Sequence, residues 1–95
     1  MEQKRKEVKI QIKGSDAVLG GTYANNLMVH MTREEFTLDF INIVPPSAIL
    51  NARVVVSPAH LKRMLKTLKG SLEKFEQEFG KLPEPPPSTP GELVQ

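Results

Sequence analysis

The chain reads as an α+β protein, a four-stranded antiparallel meander followed by one long C-terminal helix (β-β-β-β-α). Three observations predict it. Apolar and polar residues alternate cleanly over residues 7–13, two further alternating runs and one apolar run follow between residues 23 and 56, and residues 57–80 carry helical periodicity with both ends marked.

In residues 7–13, Val8, Ile10 and Ile12 point one way and Lys9, Gln11 and Lys13 the other, the pattern of a half-buried strand. A connection over residues 14–22 follows, punctuated by Gly20 and Gly21. Residues 23–31 form the second expected strand, with Tyr23, Leu27, Val29 and Met31 on one face and Ala24, Met28 and His30 on the other. Thr32, Arg33 and Glu34 suit a tight turn. Phe36, Leu38 and Phe40 then alternate with Thr37, Asp39 and Ile41 in a third strand running to Ile43 or Val44, so these two strands should form an antiparallel hairpin. Pro45 and Pro46 interrupt any ladder because proline has no N–H. The fourth strand spans residues 49–56, with Arg53 in its middle.

The helix starts at once. Ser57 is the N-cap, Pro58 takes the first helical position where its missing N–H costs nothing, and Gly80 suits a closing residue with positive φ. Its apolar residues Leu61, Leu65, Leu68, Leu72, Phe75 and Phe79 follow a 4-3-4-3-4 spacing. At 1.5 Å per residue the helix is about 33 Å long, more than the ~15–20 Å width of a four-stranded sheet, so its second half should overhang. The first half, widened by Met64, suits a sheet face; the second narrows toward a coiled-coil seam. Lys62, Arg63, Lys66 and Lys69 precede Glu73, Glu76 and Glu78, an order that opposes the helix dipole. An antiparallel helix pair accounts for it, since each basic half would then face an acidic half. One helix covers only one face of a sheet, and the face near Ala24, Met28, His30 and Ile41 calls for a partner subunit. The expected oligomer or partner interface is therefore Leu68, Leu72, Phe75, Phe79 and Met28.

Size and composition agree. Ninety-five residues allow one small domain, expected at residues 7–80 between a basic N-terminal arm (1–6) and a Pro-rich disordered tail (81–95). With no cysteine, neither a disulfide nor a thiolate metal site can staple the fold, and oligomerisation is the remaining source of stability. The longest apolar runs fall far short of the ~20 residues of a membrane span, and the basic start lacks the apolar segment of a secretory signal. A cytoplasmic protein with no membrane partner is expected.

Chemistry-bearing constellations are sparse. His30 and His60 form no metal-ligand spacing, and Gly20-Gly21 lacks a phosphate-loop context. Asp39 is either a general base or the cross-strand partner of Arg53, and the pairing is preferred. Ser57 reads as a cap rather than a nucleophile. Asn25 and Asn26 are expected to fix a bulge or bond a neighbouring backbone rather than a ligand. Lys62, Arg63, Lys66 and Lys69 make a possible basic binding face. With one tyrosine and four phenylalanines for stacking, a solvated or inter-subunit role is preferred over nucleic acid. No catalytic residue, metal or cofactor is assigned.

Tyr23-Ala24-Asn25, the run Glu35-Phe36-Thr37-Leu38-Asp39-Phe40, the Pro45 break, and Ser57-Pro58-Ala59-His60 with Lys62-Arg63 resemble the signature of short prokaryotic proteins grouped as domain-of-unknown-function family 3467. The resemblance covers residues 7–80 and implies no activity or substrate. The order of elements also resembles the SecB-type export chaperones, a likeness of architecture alone. The expected function is that of a small non-enzymatic oligomer acting through protein–protein interaction or scaffolding. The alternatives are a SecB-like holdase and a nucleic-acid-associated protein.

Overall fold

The computed structural model describes residues 7–86, in the order α1 (Asp16–Leu19), β1 (Asn26–Met31), β2 (Phe36–Val44), β3 (Ser47–Val56) and α2 (Pro58–Phe79). The strands form one antiparallel sheet in the order β1-β2-β3, with β2 in the centre. The α+β class and the sheet-then-helix order are as expected.

The strand count is not: the sheet has three strands among the described residues, not four. Residues 7–13, expected as the first strand, pair with nothing, and Val8, Ile10 and Ile12 are 78%, 82% and 94% exposed. Alternation prescribes two faces for a strand but supplies no edge to hydrogen-bond to. The connection after it contains the single-turn helix α1, started by Ser15, whose Oγ accepts from Val18 N–H at 3.4 Å.

The two hairpins are built by local chemistry. Between β1 and β2, Thr32 Oγ1 accepts from Glu34 N–H (3.3 Å) and Glu35 N–H (3.2 Å), and Thr32 N–H donates to Glu35 O (2.9 Å). Between β2 and β3, Val44 stands opposite Ser47, so Pro45 and Pro46, joined by a cis bond, are the two turn residues. The prolines thus make the corner of a hairpin, where their missing N–H groups are not needed. The register shifts between Phe40 and Ile41, where Asn51 is the extra residue on β3.

Register assigns the faces. Leu27, Val29 and Met31 of β1 stand opposite Phe40, Leu38 and Phe36 of β2, which stand opposite Ala52, Val54 and Val56 of β3, giving an apolar patch across all three strands, with Asn42 and Ser47 on the same face toward the Pro45-Pro46 turn. The reverse face carries Met28 and His30, Thr37 and Asp39, and Arg53 and Val55. Among the described residues the buried apolar side chains are few and all on β2: Leu38, Ile41 and Ile43.

The caps of α2 are as the sequence demands. Ser57 Oγ accepts from His60 N–H (3.1 Å), Pro58 opens the helix, and Gly80 closes it at φ 99°. Its packing is not. The helix does not lie across the sheet and has only marginal contact with it. Leu65, Leu68, Leu72, Phe75 and Phe79 are 59%, 62%, 49%, 44% and 68% exposed. An amphipathic stripe requires a cover without specifying it, and this chain leaves both the stripe and the apolar sheet face open. The radius of gyration, 17.8 Å, accordingly exceeds the about 12 Å of a compact chain this size. The basic arm at residues 1–6 and residues 87–95 of the expected tail lie outside the described residues; residues 81–86 have no regular structure.

Candidate interaction surfaces

On the polar face of the sheet, β2 places Asp39 opposite Arg53 of β3 and Met28 of β1. Arg53 closes a two-point ion pair, Nε to Oδ1 at 2.7 Å and Nη2 to Oδ2 at 2.9 Å, and His30 Nε2 lies 4.0 Å from Oδ2. Asp39 is 1% exposed. The hydrogen bonds from Arg53 hold its carboxyl below the usual carboxylate range, outweighing the upward push of burial; the charges of Arg53 and His30 add to the lowering. A carboxylate held this way is a poor proton acceptor with both oxygens engaged, so the geometry gives the pairing reading of Asp39 and not the general-base one. Among the described residues no three His, Cys, Asp or Glu side chains converge in a way that could hold a metal ion.

At the start of β1 the asparagines bond backbone, as their density suggested. Asn25 Nδ2 donates to Ile43 O (2.9 Å) and Asn25 Oδ1 accepts from Ile43 N–H (2.8 Å), while Asn25 N–H donates to Ile41 O (3.1 Å). The side-chain amide thereby extends the ladder of β2 one step beyond the end of β1. Asn26 Nδ2 donates to Asn25 Oδ1 (3.0 Å), and Asn51 Nδ2, at the bulge, donates to Tyr23 O (2.6 Å). Tyr23-Ala24-Asn25 is therefore an anchor that ties the entry to β1 to both other strands. An open depression beside it is lined by Ala24, Asn25, Asn26, Leu27 and Phe40.

The interface residues expected from the sequence divide between two places. Leu68, Leu72, Phe75 and Phe79 fall in line on α2, exposed, with the rings of Phe75 and Phe79 5.0 Å apart and tilted by 46°. Met28 is half-buried on the sheet beside Asp39, away from that line. Lys62, Arg63, Lys66 and Lys69 are exposed on α2, and none has an ion-pair partner among the described residues. On the face expected to need a partner, around Met28, His30 and Ile41, Asp39 and Ile41 are buried while His30, Arg53 and Val55 remain exposed. The opposite face also has exposed apolar side chains, Leu27, Val29, Met31 and Val54, around the buried Leu38. The wholly apolar alternation of Phe36, Leu38 and Phe40 signalled that face, but the signal was assigned to a helix that lies elsewhere.

No helix among the described residues is long and apolar enough to cross a membrane. The sequence pattern of a family described as protein of unknown function (DUF3467) matches residues 1–84. No curated protein and no solved structure matches the chain significantly.

Proposed function

The chain belongs to the DUF3467 family, whose function is unknown, and from that premise we propose that it is a non-enzymatic interaction protein that assembles with itself. The supporting observation is the exposed seam of α2, Leu65, Leu68, Leu72, Phe75 and Phe79, while the buried apolar core among the described residues is confined to three residues of β2. A helix of this length with an apolar stripe gains little by standing in water and much by pairing. Self-association completes the fold, and the assembled sheets then act as a scaffold in the cytoplasm.

Light scattering at micromolar concentration tests this. A dimer or larger species is expected, with a melting temperature that rises with protein concentration because association is linked to folding. A strict monomer with a concentration-independent transition sinks the reading.

A holdase that shelters unfolded chains is the second reading, and the open apolar sheet face formed by Leu27, Val29, Met31 and Val54 favours it. It requires that the protein suppress aggregation of an unrelated unfolding protein at a near-stoichiometric ratio. A nucleic-acid role would use Lys62, Lys66 and Lys69. Binding would then weaken steeply with salt and vanish when all three become Glu.

A further inference from the structure

We propose that α2 pairs with α2 of a second copy of this chain as an antiparallel coiled coil whose twofold axis passes at the level of Gly70. This rests on the reading that the chain associates with itself, and adds the surface, the direction and the register.

The seam itself is symmetric. Its 4-3-4-3-4 spacing reads the same from either end, with Gly70 at the midpoint. In heptad terms Leu61, Leu68 and Phe75 occupy d and Leu65, Leu72 and Phe79 occupy a. Reversing one helix brings every a opposite a d. An axis at Gly70 therefore stacks Leu61 on the partner's Phe79, Leu65 on the partner's Phe75, and Leu68 on the partner's Leu72. Each large ring meets a leucine, so the layers are matched in size along the whole seam.

Charge then selects the direction. At 3.6 residues per turn Lys62, Lys66, Lys69, Glu73 and Glu76 fall within roughly 80° of arc, forming one flank of the seam. A parallel pair would set the three lysines of one copy at the level of the same lysines of the other, and the acids likewise. The antiparallel pair places Lys62 beside the partner's Glu76 at both ends. Glu76 Oε2 already accepts from Leu82 N–H (2.8 Å), which fixes the carboxylate while leaving the other oxygen free of any described hydrogen bond. Lys69 alone faces its own copy, close to the axis. The arrangement also resolves the reversed charge order within α2. No acid stands in the first turn and no base in the last, and the partner's acidic half supplies negative charge near the first half of the helix. Since α2 has only marginal contact with its own sheet, the two sheets sit at opposite ends of the helix pair and leave the seam open from Leu65 to Phe79, with Leu61 half-buried at its start.

The chain has no cysteine, so an introduced one is unique. K62C and E76C are prepared separately, mixed, and mildly oxidised. A disulfide-linked K62C–E76C heterodimer is expected. Either variant alone should stay uncrosslinked, because its two cysteines lie about 24 Å (K62C) or about 18 Å (E76C) apart along the pair, beyond disulfide reach. Crosslinking of K62C to itself would overturn the proposed register. A dimer that forms no K62C–E76C link overturns it in favour of another surface, with self-association intact. A monomer by light scattering defeats the reading beneath it as well. Charge reversal gives an independent check: K62E and E76K should each weaken dimerisation by roughly five- to thirty-fold, since two pairs turn from attraction to repulsion, and K62E/E76K should restore it. Failure of the double variant to recover affinity, with helicity intact, also counts against the register.

Discussion

Arg53 lies across Asp39 with two hydrogen bonds, and Asp39 is the most completely buried side chain among the described residues although it sits on the more polar face of the sheet. The pair joins the central strand to an edge strand where the register is about to shift. Its removal should loosen the sheet at the one place where β3 could slide along β2. Asp39→Asn keeps the volume but loses the charge that Arg53 is bound to, and Arg53→Met leaves the carboxylate buried and unpaired. Both are expected to lower the melting temperature by several degrees, Arg53→Met the more strongly, because an orphaned buried charge is worse than a neutralised one.

The same pair sets a pH dependence. Asp39 has a folded-state pKa below its unfolded value, near 3.9 for a free aspartate. Its contribution to stability is therefore fully present above the unfolded value and is lost as pH falls through the folded one. Acid titration followed by circular dichroism should show an unfolding limb below about pH 4 in the wild type. That limb should flatten in Asp39→Asn, whose stability should converge with that of the wild type at the acid end. An unchanged acid limb would mean that other carboxylates govern it.

Asn25 gives a second prediction, because its amide imitates a strand residue by donating to Ile43 O and accepting from Ile43 N–H. Asn25→Ala removes both and should cost about 1–3 kcal/mol in denaturant unfolding. Asn25→Asp keeps the acceptor but turns a carboxylate oxygen toward the Ile43 carbonyl, so it should be no better than the alanine. An aspartate that fully rescues the alanine loss would show that the donor bond is immaterial.

Ser57→Ala deletes the hydroxyl that accepts from His60 N–H at the start of α2. The expected cost is about 1 kcal/mol. Ser57→Asp should recover it and somewhat more, because its charge sits at the positive end of a helix whose first turn has no acid.

What could be read from the sequence was what is settled locally. Ser57, Pro58 and Gly80 bound α2 through bonds within one turn, so their meaning does not depend on the rest of the chain. The Asp39–Arg53 pairing was legible because opposite charges on adjacent strands favour it, whereas the bulge at Asn51 that shifts the register by one and brings Arg53 opposite Asp39 was not. What depended on a distant partner was misread. Val8, Ile10 and Ile12 alternate like a strand with no edge to join, and the stripe on α2 matches a sheet face as well as it matches another helix. Periodicity states that a face must be covered, and the identity of the cover is a property of tertiary or quaternary structure. Likewise Ser15-Asp16 carries a helix-starting signal, but in a segment so rich in glycine that a loop was the better reading.

Gly70 and Gly80 should respond in opposite ways to the same change. Gly70 lies inside α2, and a Cβ built on it meets nothing within 4 Å, so Gly70→Ala trades a flexible residue for the best helix former and should stabilise by about 0.5–1 kcal/mol. Gly80 has φ 99°, where a side chain is strained, so Gly80→Ala should destabilise by about 1–2 kcal/mol despite equally open space. Position 70 also distinguishes the two sides of the helix. It lies roughly opposite the line of Leu68 and Leu72 at 3.6 residues per turn, so even Gly70→Gln should leave dimer affinity unchanged while Leu72→Gln weakens it. Were Gly70→Gln instead to abolish association while raising helix content, the helices would be meeting through the side that carries Gly70, and the leucine and phenylalanine seam would have to face some other partner.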